Sequence, residues 1–260
     1  MKISEQMLRE SFRHRELSSE LPIIIFNTTG STNSEARAYL QKHKPKHALF
    51  IADTQSAGRG RLGRSFISPS GGLYMSLAVR MSERQDNPEL ITSYAAVTVR
   101  QAIAKLTGKE CQIKWVNDII LNGKKLAGIL TEGVISPDTN RIEYAIIGIG
   151  VNILGSTLAP EISEIATTLE LCGATVTREE LCARITDLFL FGLDKVGTSE
   201  CAEEYRRHSM LIGKEITVYK KDTAYAAFVK GISDKCELIL ELEGGYTELL
   251  STGEVSVRVK

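Results

Sequence analysis

Apolar positions along the chain change period several times, and those changes mark out its elements. Residues 1–20 are rich in Glu, Arg and Ser and read as a polar helical lead-in that Pro22 ends. Ile23, Ile24, Ile25 and Phe26 form an unbroken apolar run, the signature of a buried strand. Residues 28–33 offer several N-cap side chains ahead of a helix predicted over 34–42. Strands are predicted at 47–52 and 72–79, and a long helix at 88–106 with Ile91, Ala95, Val99, Ile103 and Leu106 on one face. Residues 112–121 read as one apolar strand interrupted by Asn117 and Asp118, and the Asn122-Gly123 pair predicts a hairpin into a strand over 124–132. A further buried strand is predicted at 144–151, then helices at 161–171, 178–195 and 199–209. After Gly213 the pattern changes to short alternating runs at 214–219, 224–232, 237–243 and 255–259, as in a small barrel.

These elements predict an α+β protein. Residues 1–211 would build a mixed β-sheet with helices on one face, and 212–260 a small C-terminal β-barrel. A length of 260 residues is ample for a large core, and the 43% hydrophobic and 25% charged content is that of a globular protein. Lys+Arg and Asp+Glu balance at 32 each, so no global field recruits nucleic acid or an anionic membrane. The charged N-terminus lacks the apolar run of a signal peptide, and no membrane-spanning stretch occurs, which predicts a cytoplasmic protein. Five cysteines, none in a C-x-x-C pair, predict reduced thiols without a disulfide framework or zinc site.

The densest chemistry lies at 58–64, GRGRLGR, where three glycines alternate with three arginines. Glycine permits close backbone approach and arginine carries a planar fork of donors for phosphate or carboxylate oxygens. The segment matches G-x-G-x-x-G, but a dinucleotide turn must open a helix, and here Pro69, Gly71 and Gly72 follow. No G-K-[ST] supports a P-loop either. A loop that closes over an anion fits better. Ordering it costs roughly 1–2 kcal/mol of backbone entropy per residue. Charge-assisted hydrogen bonds, at about 1.5–3 kcal/mol each, can offset that.

Three other groups accompany the loop. Ser31, Thr32 and Asn33 can orient a neutral polar head or simply cap a helix. Asn117 and Asp118 place an amide and a carboxylate in an apolar strand, where they need partners; a ligand site is favoured over a turn because the stronger turn signal lies at Asn122. Strict alternation puts Lys125 on one face with Ala127 and Ile129, an apolar setting suited to a lysine that meets phosphate, while Gly128 leaves room for a ligand. Trp115, the single tryptophan, reads as core.

In order and spacing, Ser31 to Asn33, Gln55 with 58–64, KWVND at 114–118, KLAG at 125–128 and GIGVN at 148–152 resemble the biotin protein ligases. The likeness spans residues 23–155, and 213–258 resembles that family's C-terminal SH3-like barrel. It implies a catalytic fold related to class II aminoacyl-tRNA synthetases. It also implies that biotin and ATP are the substrates, with Mg²⁺: biotinyl-5′-AMP forms first, and biotin then passes to a lysine of a biotin carboxyl carrier protein. Arg61, Arg64, Lys125 and Asp118 would be catalytic. Ser31, Thr32, Asn33, Gln55, Gly58, Arg59, Lys125 and Gly128 would bind biotin, and Arg61, Arg64, Asn117, Asp118 and Asn152 the nucleotide. Asp118 would be the metal ligand. The carrier domain, of acetyl-CoA carboxylase or a related enzyme, is the implied partner; an exposed strand would receive it or form a homodimer.

Two features depart from the family. Val116 stands where proline is common, and the stretch before Ile23 is too short for the DNA-binding domain of bifunctional members, so neither DNA nor membrane is an expected partner. A lipoate or octanoate ligase and a non-catalytic ligand-binding module are the alternatives.

Overall fold

The computed structural model describes residues 2–81, 88–155, 158, 162–220, 223–251 and 253–257. Seven strands form the main sheet: β1 (Ile23–Thr29), β2 (His47–Gln55), β3 (Leu73–Arg80), β4 (Gln112–Lys114), β5 (Asp118–Leu121), β6 (Lys124–Ile135) and β7 (Ile142–Val151). Their spatial order is β1-β2-β3-β7-β6-β5-β4, with only β1 and β2 parallel, so the sheet is mixed as expected. Helices α1 (Glu5–Ser11), α2 (Arg15–Glu20), α3 (Thr32–Lys42), α4 (Pro88–Thr107), α5 (Arg178–Phe191) and α6 (Ser199–Arg207) surround it.

Alternation within the strands separates two cores. Leu49, Leu77 and Ile147 stand opposite one another and pack with Val99 and Ile103 of α4 and Leu181 and Ile185 of α5. Phe50, Ala78 and Ile146 point to the other side and pack with Ala36 and Leu40 of α3. Helices on one face therefore describe the long helices; α3 covers the opposite face. Burial pushes the Cys111 thiol up to about 12, and no disulfide joins the five cysteines.

Three local expectations need correction. The strand expected over 112–121 is two antiparallel strands, β4 and β5, joined by a turn at 115–117 whose Trp115–Val116 peptide is cis. Asn117 thus sits in a turn after all, and the Asn122-Gly123 hairpin forms as well, both residues having positive φ. At the start of β6, Lys125 pairs with Ile120 and Ala127 with Ile119, leaving Leu126 as the extra residue of a bulge. The bulge breaks strict alternation, so Lys125 shares the side of Gly128 rather than that of Ala127 and Ile129: a Cβ built on Gly128 would lie 3.3 Å from Lys125 Nζ. The helix expected at 161–171, whose first residue lies outside the described set, is instead a series of turns. Its amides and carbonyls bond to strand ends, with Lys125 N–H donating to Ile165 O and Leu169 N–H to Asn152 O, and so are not available for a helical ladder.

The C-terminal strands β8 (Glu215–Lys220), β9 (Thr223–Ile232), β10 (Leu238–Glu241), β11 (Thr247–Leu250) and β12 (Glu254–Val257) form an antiparallel sheet in the order β11-β10-β9-β8-β12. Strand β11 went unpredicted, and residues 258 and 259 of the expected last strand lie outside the described residues. This sheet packs into the same core as the α4 side of the main sheet. Trp115 Nε1–H donates to Cys236 O at 2.9 Å, and Tyr205 O–H of α6 donates to Val116 O at 3.0 Å. The 115–117 turn is thereby held from outside by two buried hydrogen bonds.

Candidate active site

The N-terminus of α3, the middle of β3, β6 and β7, and the Gly/Arg loop converge on one cavity of about 170 Å³. Its floor is glycine. Gly128, Gly148 and Gly150 face the α3 side, where side chains of any size would fill the space. Phe66, from the foot of the loop, lies on that floor: a Cβ on Gly150 would stand 2.4 Å from Phe66 Cε1, and one on Gly128 3.2 Å from Cε2. Ligand pockets for drug-sized molecules are commonly about 300–1,000 Å³, so a larger ligand has to displace this ring.

One end of the cavity is a polar wall. Ser31 is the N-cap of α3 by backbone conformation, yet its side chain makes no capping bond, and it is buried against the cavity. Thr32 N–H donates to Gln55 Oε1 at 2.8 Å, and Gln55 Nε2 donates to Ser68 Oγ at 3.0 Å. Asn33 Nδ2 donates to Leu130 O at 3.3 Å and to Glu132 Oε2 at 2.8 Å, while Ser76 Oγ stands 2.6 Å from Asn33 Oδ1. Thr32, Asn33 and Ser76 are all buried.

The other end is cationic. Arg59 at the base of the loop is paired with Glu132 at 3.0 Å, whereas Arg61 and Arg64 flank the exposed apex residue Leu62, whose φ is 55°. Lys125 Nζ lies 2.7 Å from Asp118 Oδ1, the two being 37% and 23% exposed. Among the described residues Asp118 is the single carboxylate lining this cavity. Asn117 is clamped to β6 through its Nδ2–H to Ile129 O at 2.8 Å and through Ile129 N–H to its own carbonyl at 3.0 Å. Both readings of this pair therefore hold: the chain turns there, and the turn presents the two side chains to the cavity.

Of the residues singled out in the sequence, Ser31, Thr32, Asn33, Gln55, Arg59, Arg61, Arg64, Asn117, Asp118, Lys125 and Gly128 line this cavity together. Gly58 and Asn152 do not. A Cβ on Gly58 would lie 2.3 Å from Phe66 O and 2.7 Å from Ser68 Oγ, so this glycine lets the two sides of the loop approach. Asn152 Nδ2 donates to Thr167 O at 3.2 Å and ties down the 162–173 turns. Phe66, Ser76 and Glu132 went unrecognised in the sequence, as did Gly253 and Val255, which reach the rim from the C-terminal sheet.

The chain is similar to known proteins over most of its length. The model of the Biotin/lipoate A/B protein ligase family matches residues 5–152, and that of the Biotin protein ligase C terminal domain matches 211–258. The Bifunctional ligase/repressor BirA of Bacillus subtilis is 30% identical, over 96% of this chain and 78% of that protein. A biotin acetyl-CoA-carboxylase ligase of Paracoccus denitrificans is also 30% identical, over 84% and 93% of the two chains. The solved biotin protein ligase of Aquifex aeolicus, in complex with biotin and ATP, superposes with a TM-score of 0.77 at 25% identity, covering 92% of this chain and 99% of that one. Over most of its length, and with the glycine floor, polar wall and cationic loop in place, the chain belongs to the Biotin/lipoate A/B protein ligase family.

Proposed function

We propose that the protein is an ATP-dependent biotin protein ligase, which makes biotinyl-5′-AMP and then biotinylates a lysine of a carrier domain such as that of acetyl-CoA carboxylase. The observation that carries this reading is the pairing, in one cavity, of a bonded neutral wall at Ser31, Thr32 and Gln55 with a half-exposed cationic end at Arg61, Arg64 and Lys125. The wall suits the cyclic urea of biotin, which is uncharged and has both donors and acceptors.

In the first step the biotin carboxylate attacks the α-phosphorus of ATP and pyrophosphate leaves. Negative charge grows on the phosphorus oxygens, where Lys125 and Arg61 can stabilise it electrostatically. Before that step Lys125 is neutralised by Asp118, which keeps its ammonium aimed across the floor beside Gly128. In the second step the carrier lysine amine attacks the acyl carbon and AMP leaves. The loop, closed over the anhydride, keeps water away until the carrier arrives. Asp118 is suited to share a Mg²⁺ that arrives on the nucleotide, since Mg²⁺ is commonly held by one or two carboxylates together with substrate phosphates; the ion supplies further charge neutralisation there. Among the described residues no cluster of three metal-ligating side chains supports an all-protein metal site.

We assign residues 1–211 to the catalytic unit and 212–260 to a C-terminal SH3-like domain, because the two sheets are separate. Strand β1 is an open edge of the main sheet and is suited to pair with the carrier or a second copy. Five unpaired thiols favour a reducing, cytoplasmic setting, and the even charge balance favours no DNA partner. The test is intact-mass measurement of a biotin carboxyl carrier domain incubated with the protein, biotin and MgATP. Gain of one biotinyl group is expected; acyl transfer from lipoate or octanoate but not biotin overturns the reading.

A further inference from the structure

We propose that the pocket enclosed by α4, α5 and α6 is a second binding site, for a small hydroxycarboxylate with an apolar body. It shares no lining residue with the candidate active site, and the inference stands apart from the ligase reading.

The pocket measures about 560 Å³, within the range of about 300–1,000 Å³ common for small-molecule sites. Its walls contain polar atoms with nothing to bond to. Among the described residues five buried side-chain nitrogen or oxygen atoms lack a hydrogen-bond partner, and three of them, Arg100 Nε, Arg184 Nε and Asp187 Oδ1, belong to residues of this pocket. Buried polar atoms are ordinarily bonded, so three around one cavity point to a polar occupant. Asp187 is 2% exposed and accepts Arg13 N–H at 2.9 Å through Oδ2, which leaves Oδ1 shielded and unpaired. Turning Asp187 Oδ1 or Arg184 Nε toward the cavity breaks no hydrogen bond at that atom.

Charge balance gives the sign of that occupant. Arg100 is matched by Glu110 at 2.9 Å and Glu204 at 3.5 Å, and Lys195 by Glu200 at 2.6 Å. Lys105, Arg184 and Asp187 line the pocket with no ion pair among the described residues, which leaves two cations against one carboxylate. Like charges crowd there. Burial, and then the Arg184, Arg13 and Lys195 charges, push the Lys105 ammonium down; burial, and then Arg13, push the Arg184 guanidinium down. A carboxylate supplies the one missing negative charge, and its oxygens suit the planar fork of Arg184 with Lys105 beside it. A hydroxyl on the same ligand donates to Asp187 Oδ1 without changing that balance, whereas an ammonium there would restore the surplus.

The rest of the lining calls for an apolar body. His14 stacks on Phe191 with ring centroids 3.5 Å and planes 22° apart, and Phe191 remains 50% exposed. Val97 and Leu188 continue this surface. An inorganic anion leaves it in contact with water, whereas an aryl or alkyl group attached to the hydroxycarboxylate covers it.

Calorimetric titration of 3-phenyllactate, 3-phenylpropionate and phenylalanine into the parent, Arg184→Met, Asp187→Asn and Lys125→Ala tests this. 3-Phenyllactate carries the carboxylate, hydroxyl and ring; 3-phenylpropionate lacks only the hydroxyl, and phenylalanine has an ammonium in its place. The parent is expected to bind 3-phenyllactate about tenfold more tightly than 3-phenylpropionate, the scale of one hydrogen bond to a charged group. Arg184→Met is expected to weaken both acids about tenfold. Asp187→Asn should narrow the preference between them to about threefold, because a bond to an ionised acceptor is roughly twice as strong as one to a neutral acceptor. No binding of 3-phenyllactate by the parent, equal affinity for the two acids, or parent-like affinity in Arg184→Met overturns the proposal. Tighter binding of phenylalanine overturns the hydroxyl assignment, and loss of 3-phenyllactate binding in Lys125→Ala puts the anion in the active-site cavity and overturns the second site. Arg184→Met keeps the test open if Asp187→Asn folds poorly, and thermal unfolding of each variant checks the fold.

Discussion

The two ends of the cavity obey opposite physical terms. Around the N-terminus of α3 the polar groups are buried and bonded to one another before any ligand arrives: Thr32 and Asn33 are 3% exposed and Ser76 is 0%. At the other end Lys125 is 37% exposed, and Arg61 and Arg64 flank a turn whose apex stands in solvent. On the proposed function, the difference follows from what each end would recognise. A neutral urea is distinguished only by hydrogen-bond directions at close range, so the dipoles that read it must be fixed in advance, and fixing them requires burial. A phosphate is attracted from farther away, and long flexible cations can converge on it once it is present. Rigid wall and mobile cations are two solutions to two kinds of ligand group.

The largest effect should come from the cationic end, because on the proposed function charge develops there during the reaction. Lys125→Ala removes the ammonium next to Gly128 and leaves Asp118 without its partner. Adenylation measured by ATP–pyrophosphate exchange is expected to fall about 10²–10³-fold, the scale of a lost electrostatic group in a transition state. Biotin binding measured without nucleotide should change much less. A Lys125→Ala protein that exchanges pyrophosphate at the parent rate would remove the distinction between the two ends.

Arg61→Gly should act next, and on retention more than on chemistry. Arg61 opens the short 3₁₀ turn Arg61–Gly63 at the loop tip, where a glycine would loosen the closed form and remove the phosphate contact proposed for Arg61. The variant is expected to make biotinyl-5′-AMP and to release it about ten- to a hundredfold faster, the scale of one or two charge-assisted hydrogen bonds. Trapping of released adenylate by free amines reports this directly; a variant that holds adenylate as tightly as the parent shows that the loop tip does not act as the lid.

How much of this was legible in the sequence depends on how each part is encoded. The wall and cationic motifs are contiguous segments in which residue types alone suggest a ligand, and the structure brings most of them to one cavity. Glu132, Ser76 and Phe66 carry no such local signal. They join the site because the sheet register sets Ser76 and Leu130 beside Gly148, and because the loop folds back at Gly58. Alternation misplaced Lys125, since a bulge is one extra residue with no compositional mark. The 115–117 turn was hidden for a related reason: Trp115 and Val116 are apolar and buried, so their pattern is that of a strand even where the backbone reverses. The turns at 162–173 have helical composition, but their backbone groups are used by neighbouring strand ends. Tertiary pairing decided these places.

Two glycines in one strand offer the finest division between the ends. Gly148 and Gly150 are both on β7 and on the same side of the sheet, so an alanine puts the same methyl group two positions apart. At 148 the methyl meets Asn33 Oδ1 at 2.4 Å, and Asn33 is held by Leu130, Glu132 and Ser76. Nothing there can yield without breaking buried hydrogen bonds, so Gly148→Ala is expected to destabilise the fold by about 1–3 kcal/mol, as overpacking does, and to weaken biotin. At 150 the methyl meets Phe66 Cε1 at 2.4 Å, but Phe66 belongs to the loop and can swing away. Gly150→Ala should therefore leave the melting temperature within a degree or two of the parent, on the scale of about half a kcal/mol. Its effect should fall on loop closure and adenylate retention. Thermal unfolding of the two variants separates them, and equal destabilisation would mean that Phe66 is held as firmly as Asn33, making the loop part of the rigid wall and not a mobile counterpart to it.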